Sequence, residues 1–402
     1  MKEPNIRFKG FRGEWKTSII GDIATFSKGR GYSKSDLRSE GNPIVLYGRL
    51  YTNYSSVIES VDTFASLQNG SVLTKGNEVI IPGSGETPED IAVASAVEQK
   101  GVILGGDLNV LTFDQEKISP AFAAMSITYS NTHNELSGYA QGKTVVHLHN
   151  SSISKGHISY PYIDEQQSIS TYFQHLDALI QSTTKKIESL KQVKAASLLS
   201  MFPQEGETTP RVRFKGFEGE WEKVQFSELY EPSSIKNKTF GADKIISVAN
   251  MYFKPVSYIS DEEYLKSYNV MNLGDIAFEG NKSKDYAHGR FVENTIGDGI
   301  VSHVFIVLKP ISKQYDLQFW KYLINYERIM GPKLLRSTKH STMMTDLVVS
   351  DFLKESVLVP SYEEQIEIGK ILSSLDRQIT LHTQRLEKLK QIKTACLDEM
   401  FV

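Results

Sequence analysis

The sequence predicts a mixed α/β (α+β) protein built twice over. Two globular domains are joined by two long antiparallel helices forming a coiled coil, with a pseudo-two-fold internal repeat. Three observations predict this. PNIRFKGFRGEW at 4–15 returns as PRVRFKGFEGEW at 210–221. PYIDEQQ…LKQVKAASLLSMF at 161–202 returns at 360–401 as PSYEEQI…LKQIKTACLDEMF, with equal length and no gap. Between these markers lie two dissimilar stretches rich in β-branched residues and glycine. The 402 residues suffice for two domains that each bury a core. The expected limits are 1–160 for the first domain and 161–202 for its helix. A linker at 203–209 follows, then 210–359 for the second domain and 360–402 for its helix.

Each repeat opens on FKGF-x-GEW. Phe8, Phe11 and Trp15, and in the second copy Phe214, Phe217 and Trp221, supply apolar anchors around a glycine turn, so the motif reads as a clasp onto the domain core. The middles, 16–160 and 222–359, read as many short strands. The segments 77–83, 101–113, 274–280 and 299–308 are β-branched and bounded by glycine. Short helices are expected at 120–130 and 317–328. The clearest echoes between the middles are Gly76-Asn77 with Gly274-Asp275, and Gly142-Lys143-Thr144 with His340-Ser341-Thr342.

Residues 165–200 contain neither Gly nor Pro. Their seam positions step by four and three: Leu176, Ile180, Thr183, Ile187, Leu190, Lys194, Ser197, Met201. The second copy reads Leu375, Ile379, His382, Leu386, Leu389, Lys393, Cys396, Met400. This is a heptad-like stripe, with Val193, Leu198, Ile392 and Leu397 expected to widen it. Glu165/Glu364, Gln166/Gln365 and Asp177/Asp376 are identical in both copies, as are Lys194/Lys393 and Met201/Met400. A helix of some 35 residues is about 50 Å long. A stripe of that length needs a partner, and the natural one is its own copy.

The net charge of −3 does not favour a nucleic-acid partner by itself, but the charges are unevenly spread. Residues 1–50 hold ten Lys/Arg against five Asp/Glu, whereas 51–142 hold three against eleven. Basic groups so gathered permit a positive face without a positive total. The single cysteine, Cys396, excludes an internal disulfide. The N-terminus lacks the apolar stretch of a signal peptide, and no apolar run reaches about 18 residues, so the expected location is the cytoplasm with no membrane partner.

Catalytic motifs are not evident. SGYAQGKT at 137–144 lacks the first glycine of a phosphate-binding loop, because Ser137 stands there. His147, His149 and His157 have metal-like spacing but no counterpart in the second repeat, and read as solvent-facing histidines. A methyltransferase needs an Asn/Asp-Pro-Pro-aromatic motif, and no Pro-Pro pair occurs. Three loops suit a polyanion: 26–34, with Lys28, Arg30 and Lys34 around Tyr32; 280–290, with Asn281, Lys282 and Lys284; and 331–341, with Lys333, Arg336, Lys339 and His340. Lys and Arg neutralise phosphates, while Asn, Gln, Ser and Tyr read base edges. Read singly, each is ordinary solvated surface. Together they fall in the parts that diverge, as the reading of two different half-sequences requires. A coiled-coil adaptor that scaffolds partner proteins without reading DNA is the alternative.

FKGF-x-GEW, YAQGKTVVHL at 139–148 and the closing EQ…LD…I…LK-Q-[VI]-K…MF segments occur in one order, twice where repeated. On these the chain resembles the specificity subunits of type I restriction-modification systems. The resemblance implies a non-catalytic subunit with two target-recognition domains. Each would read one half of a bipartite, asymmetric site in double-stranded DNA and direct adenine methylation or cleavage by partners. The two helices would space the domains, with Leu176, Ile180, Ile187, Leu190, Leu375, Ile379, Leu386 and Leu389 in the seam. Two modification subunits would dock near the helices and bring S-adenosylmethionine. Restriction subunits would bring ATP and Mg, so this chain needs no cofactor or metal of its own. The expected DNA contacts in the first domain are Lys28, Arg30, Tyr32, Lys34, Arg49, Gln141, Lys143, Thr144 and His147. In the second they are Asn281, Lys282, Lys284, Arg336, Lys339 and His340. The second copy departs from the pattern where RSTKHSTMM replaces SGYAQGKT.

Overall fold

The computed structural model describes residues 3–255, 262–340 and 344–401. The chain forms two compact units, 1–184 with 384–402, and 185–383. Each unit therefore takes part of both long helices.

In the first unit, Lys16–Ile19 pairs antiparallel with His157–Tyr160, which leads directly into the helix Ile163–Met201. A five-stranded sheet runs in the order Ala24–Lys28, Leu108–Phe113, Glu78–Pro82, Ser95–Val97, Val57–Ile58. Its central strand is buried along its whole length, and after the buried Glu78 it reads as the apolar run Val79 to Pro82. The helix Pro120–Tyr129, capped by the Ser119 hydroxyl, packs on it, and the helix Asn131–Gly138 packs on that helix in turn. A second five-stranded sheet carries Leu37–Arg38, Phe64–Ala65, Asn42–Val45, Ile103–Leu104 and Val72–Leu73. The stretch 101–113 is thus two strands broken at Gly105-Gly106-Asp107, one in each sheet.

The second unit repeats the frame and trims the rest. Glu222–Gln225 pairs with Ser356–Val359 ahead of the helix Tyr362–Met400. Its main sheet runs Tyr230–Ser233, Ile306–Pro310, Ile276–Glu279, Arg290–Glu293, matching the first four strands of its counterpart. The helix expected at 317–328 is two helices, Leu317–Leu323 and Glu327–Ser337. The chain turns where Tyr326 donates its N–H to the Leu323 carbonyl, and Tyr326 then caps the second helix.

The identical residues of the repeat make identical contacts. Gln166 donates to the carbonyls of Lys117 and Pro161 and accepts from the Ser119 N–H. Gln365 does the same with Gln314, Pro360 and Asp316. Each glutamine ties the start of a long helix to the N-cap of the helix packed beside it. In the first unit Lys393 pairs with Asp177 at 2.5 Å, and in the second Lys194 pairs with Asp376 at 2.6 Å. In the first unit Tyr172 meets Cys396 and Asp177 meets Lys393, so the two helical segments there run antiparallel. In the second, Lys194 meets Asp376 while Met201 lies in one core with Ile368 and Leu372, again antiparallel.

Leu176, Thr183, Ile187, Leu190 and Met201 are buried, and Ile180 is half-buried. Leu375, Ile379, Leu386 and Leu389 are half-buried. Val193 and Ile392 do not widen the stripe, contrary to expectation. Both are exposed, each one position before a seam residue, whereas Leu198 and Leu397, each one position after one, are half-buried and buried and widen it as expected. No helix among the described residues is long and apolar enough to cross a membrane.

Candidate nucleic-acid interface

In the first unit the central strand Glu78–Pro82 runs out at Gly83. There Ser84–Gly85 pairs antiparallel with Val146–His147. The late segment is closed into a hairpin by two backbone hydrogen bonds between Gln141 and His147, at 3.0 and 2.8 Å. Gly142 takes φ +138 at its tip, where a Cβ would collide with the Val145 carbonyl. The Gly-Lys-Thr sequence therefore serves a hairpin, which is the structural reason it makes no phosphate loop. Gln141, Lys143, Thr144, Val145, His147 and His149 are exposed on this hairpin and just beyond it. The His147 and His149 rings lie parallel with centroids 6.2 Å apart, and His147 Nδ1 is 3.0 Å from Ser84 Oγ. Tyr51 donates its hydroxyl to the Ser84 carbonyl at 2.6 Å and packs edge-on against Tyr47. Burial raises the Tyr51 phenol above its ordinary value, so it remains a donor. Asn150 donates to the Ser27 carbonyl, which brings the exposed Lys28 end of its strand alongside the histidines.

The glycines of the loop at 29–34 are tied into the fold. Gly29 donates to Leu108, Arg30 to Leu104, and Gly31 accepts from Gly106, so the loop lies flat on the Gly105-Gly106 turn. A Cβ at Gly29 would strike the Gly105 carbonyl. The Tyr32 hydroxyl bonds Ser66, Ser71 and the Gln68 N–H. Arg49 is paired with Asp62 at 2.8 Å. Lys28, Arg30 and Lys34 are exposed.

In the second unit the loop after Ile276–Glu279 holds Asn281, Lys282 and Lys284, all exposed. Arg290 closes the loop by pairing with Glu279 at 2.8 Å and lying over the Tyr286 ring. Asn281 bridges to Met344, and Thr345 donates to the Gly280 carbonyl at 2.8 Å. This attaches the hairpin formed by Thr338–His340 and Thr345–Leu347 to the end of the central strand. Lys339 is exposed there. His340 pairs through its backbone with Thr345, while its side chain and residues 341–343 lie outside the described part. Arg336 stands apart on its helix, held by two hydrogen bonds to Glu355 at 2.7 Å.

The two sites share one construction. A shift of 199 residues carries the buried Val146 onto the buried Thr345, Leu148 onto Leu347, and Glu165 onto Glu364. In both units a late hairpin docks on the glycine turn that ends the central strand. Tyr47 and Tyr51 were not singled out by the sequence, and His149 only as a solvent-facing histidine. The four-residue spacing of the tyrosines was the only linear sign of them. The three histidines are not gathered into a metal site, since His157, on the strand His157–Tyr160, pairs with Glu135 of the helix Asn131–Gly138. Among the described residues no group of three or more His, Cys, Asp or Glu could hold a metal.

A duplicated frame with a docked hairpin in each copy defines a two-domain protein built on an internal repeat. The family model for the type I restriction modification DNA specificity domain matches residues 12–192 and again 218–391, and the chain belongs to that family. The specificity subunit of type I restriction enzyme MjaVIII from Methanocaldococcus jannaschii is 22% identical, over 98% of this chain and 94% of that one. The StySPI specificity subunit from Salmonella potsdam is 23% identical, over 94% and 87%. The crystal structure of the type I restriction-modification S subunit from M. genitalium shares the fold with a TM-score of 0.63. It is 13% identical and covers 100% of this chain and 99% of that one.

Proposed function

We propose that the chain is the non-catalytic subunit that selects the DNA sequence in a type I restriction-modification complex. Each unit reads one half of a bipartite, asymmetric site, and partner subunits methylate adenine or cleave. The observation that carries this is the contrast between frame and hairpin. Glu165/Glu364 and Gln166/Gln365 are the same residues in the same contacts, whereas the docked hairpins carry different chemistry. At the 199-residue shift, Gln141 answers to His340, Lys143 to Thr342, and His147 to Asp346. Divergence concentrated in the middles, docked hairpins included, beside a constant frame is what two different half-sites demand. Exposed Lys28, Lys143, Lys282, Lys284 and Lys339 suit the phosphates beside such sites.

Two copies of one modification subunit suit the repeated frame. Ile6 and Val212 are exposed at matching places in the opening motif, and Val193 and Ile392 on the helices. Apolar side chains repeated on an otherwise polar frame favour the same partner twice. The S-adenosylmethionine, ATP and Mg belong to those partners. The test is selection from random-sequence DNA by the complex assembled with its modification subunit. Two preferred blocks with an unselected gap are expected. Replacing residues 16–160 with those of another family member should change one block only. A complex with no preference among sequences would leave the adaptor reading in its place.

A further inference from the structure

We infer that Val145 and Met344 are specificity-determining residues, each presenting an apolar contact to the 5-methyl group of a thymine in its own half-site. The inference rests on the DNA-reading function proposed above.

Val145 is 51% exposed and Met344 45% exposed, although both are bulky and apolar. They occupy the same place in the two units. Each immediately precedes the hairpin residue that is buried beneath the sheet end, Val146 in one and Thr345 in the other. Successive side chains of an extended strand alternate, so burial of Val146 and Thr345 turns Val145 and Met344 to the outer surface. The backbone around them is fixed. Val146 pairs with Gly85, Met344 bridges to Asn281, and Thr345 hydrogen-bonds Gly280.

Their surroundings distinguish them from the other exposed apolar residues. Val145 lies beside the exposed Lys143, Thr144 and His147, and Met344 beside Asn281. An apolar group set beside cationic or hydrogen-bonding groups matches the edge of a base pair in the major groove. There the thymine methyl is the one apolar feature among donors and acceptors, and phosphates flank it. The pairs Ile6/Val212 and Val193/Ile392 lie in the repeated frame, where both copies meet the same surroundings. Val145 and Met344 lie in the part that diverges, and the two side chains differ in shape and reach.

The test uses the complete complex with its modification subunit and its selected site, with deoxyuridine replacing thymine one position at a time. Loss of one methyl contact should weaken binding about fourfold at one position in each half-site, the worth of burying one methyl-sized group. The Val145→Ser complex should bind thymine and uracil equally at the first of these positions and keep full discrimination at the second. Met344→Ser should do the reverse. Both side chains are exposed, so unchanged melting temperatures are expected and should be measured beside the binding. Variants that discriminate as the wild type does would overturn the inference, as would a uniform loss of affinity with unchanged preference, or a selected half-site containing no thymine. A wild-type complex with no sequence preference would instead overturn the DNA-reading function itself.

Discussion

Arg7 grips Glu165 through two parallel hydrogen bonds, Nε to Oε1 at 2.6 Å and Nη2 to Oε2 at 2.7 Å. Its remaining arm reaches the Gly13 carbonyl at 2.7 Å. Arg213 repeats this with Glu364 at 2.7 and 2.8 Å and with Gly219 at 2.5 Å. The opening motif is thus fastened to the first turn of the long helix by a planar fork that only arginine supplies. The hydrogen bonds it donates to the Glu165 carboxylate hold the Arg7 guanidinium above its ordinary pKa. The Glu165 side chain is only 2% exposed, so removal of its partner strands a buried charge. Arg7→Met should cost about 3–5 kcal/mol, whereas Arg7→Met with Glu165→Leu should recover most of it. Urea unfolding of the two variants checks this, and a double variant no better than the single would rule it out.

A second relationship crosses nearly the whole sequence. Phe401 packs against Trp15 and stacks on Phe122 with centroids 5.7 Å apart, all within the first unit. In the second unit Phe202 packs against Trp221 and stacks on Phe319 at 5.6 Å. Each long helix therefore ends in the core of the unit assembled around the other repeat's opening motif and short helix. Phe401→Ala should destabilise the first unit by about 3–5 kcal/mol. The loss should appear as faster amide exchange in Pro120–Tyr129, hundreds of residues from the change. Phe202→Ala should instead speed exchange in Leu317–Leu323. Exchange confined to the mutated helix end would contradict both.

Much of this was legible because the sequence states it twice. Glu165, Gln166, Asp177 and Lys194 recur with their spacing intact, and each recurs in its contact. The β-branched runs at 77–83 and 274–280 gave the central strands because both are buried on two faces. Other features had no local signal. Periodicity marked Val193 and Ile392 as apolar neighbours of the seam, but the side of the seam decides exposure, since Leu397 on its other side is buried. The glycines of 29–31 meet Gly105-Gly106, some 75 residues on, which no local pattern announces. Tyr47 and Tyr51 join the interface only because Ser84 comes to them through the sheet. Pairing between distant segments, and not residue type, carried that information.

The division of the chain makes a further prediction. Each unit draws on both repeats, with 384–402 completing the first and 185–202 belonging to the second. The connection between repeats passes through Gln204, Glu205, Gly206 and Glu207, with Glu205 and Gly206 exposed. A break there removes no core contact, because Phe202 and Trp221 lie on either side of it in the second core. Residues 1–206 and 207–402 made as separate chains in one cell should copurify in equal amounts and retain the DNA preference of the intact protein. Chains that do not associate would show that the connection itself holds the units.

A buried carboxyl sets a pH dependence in the second unit. Tyr230 and Tyr315 hydroxyls lie 2.9 Å apart, and Tyr315 donates to Glu293 Oε2 at 2.8 Å. Burial raises Glu293 from the ordinary 4.5 to about 9, against the opposing effect of the Tyr315 hydrogen bond. The folded protein therefore keeps a proton that the unfolded chain releases between those values. Its contribution to stability is fully present below about pH 4.5 and is lost as pH rises toward 9, by up to about 1.4 kcal/mol per pH unit. Glu293→Gln is neutral at every pH and keeps an acceptor for Tyr315. Guanidinium unfolding at pH 5, 6.5 and 8 should show the wild type losing stability steadily relative to the variant, with the gap smallest at pH 5. Parallel pH profiles for the two proteins would mean that Glu293 ionises in the folded state as freely as in the unfolded chain.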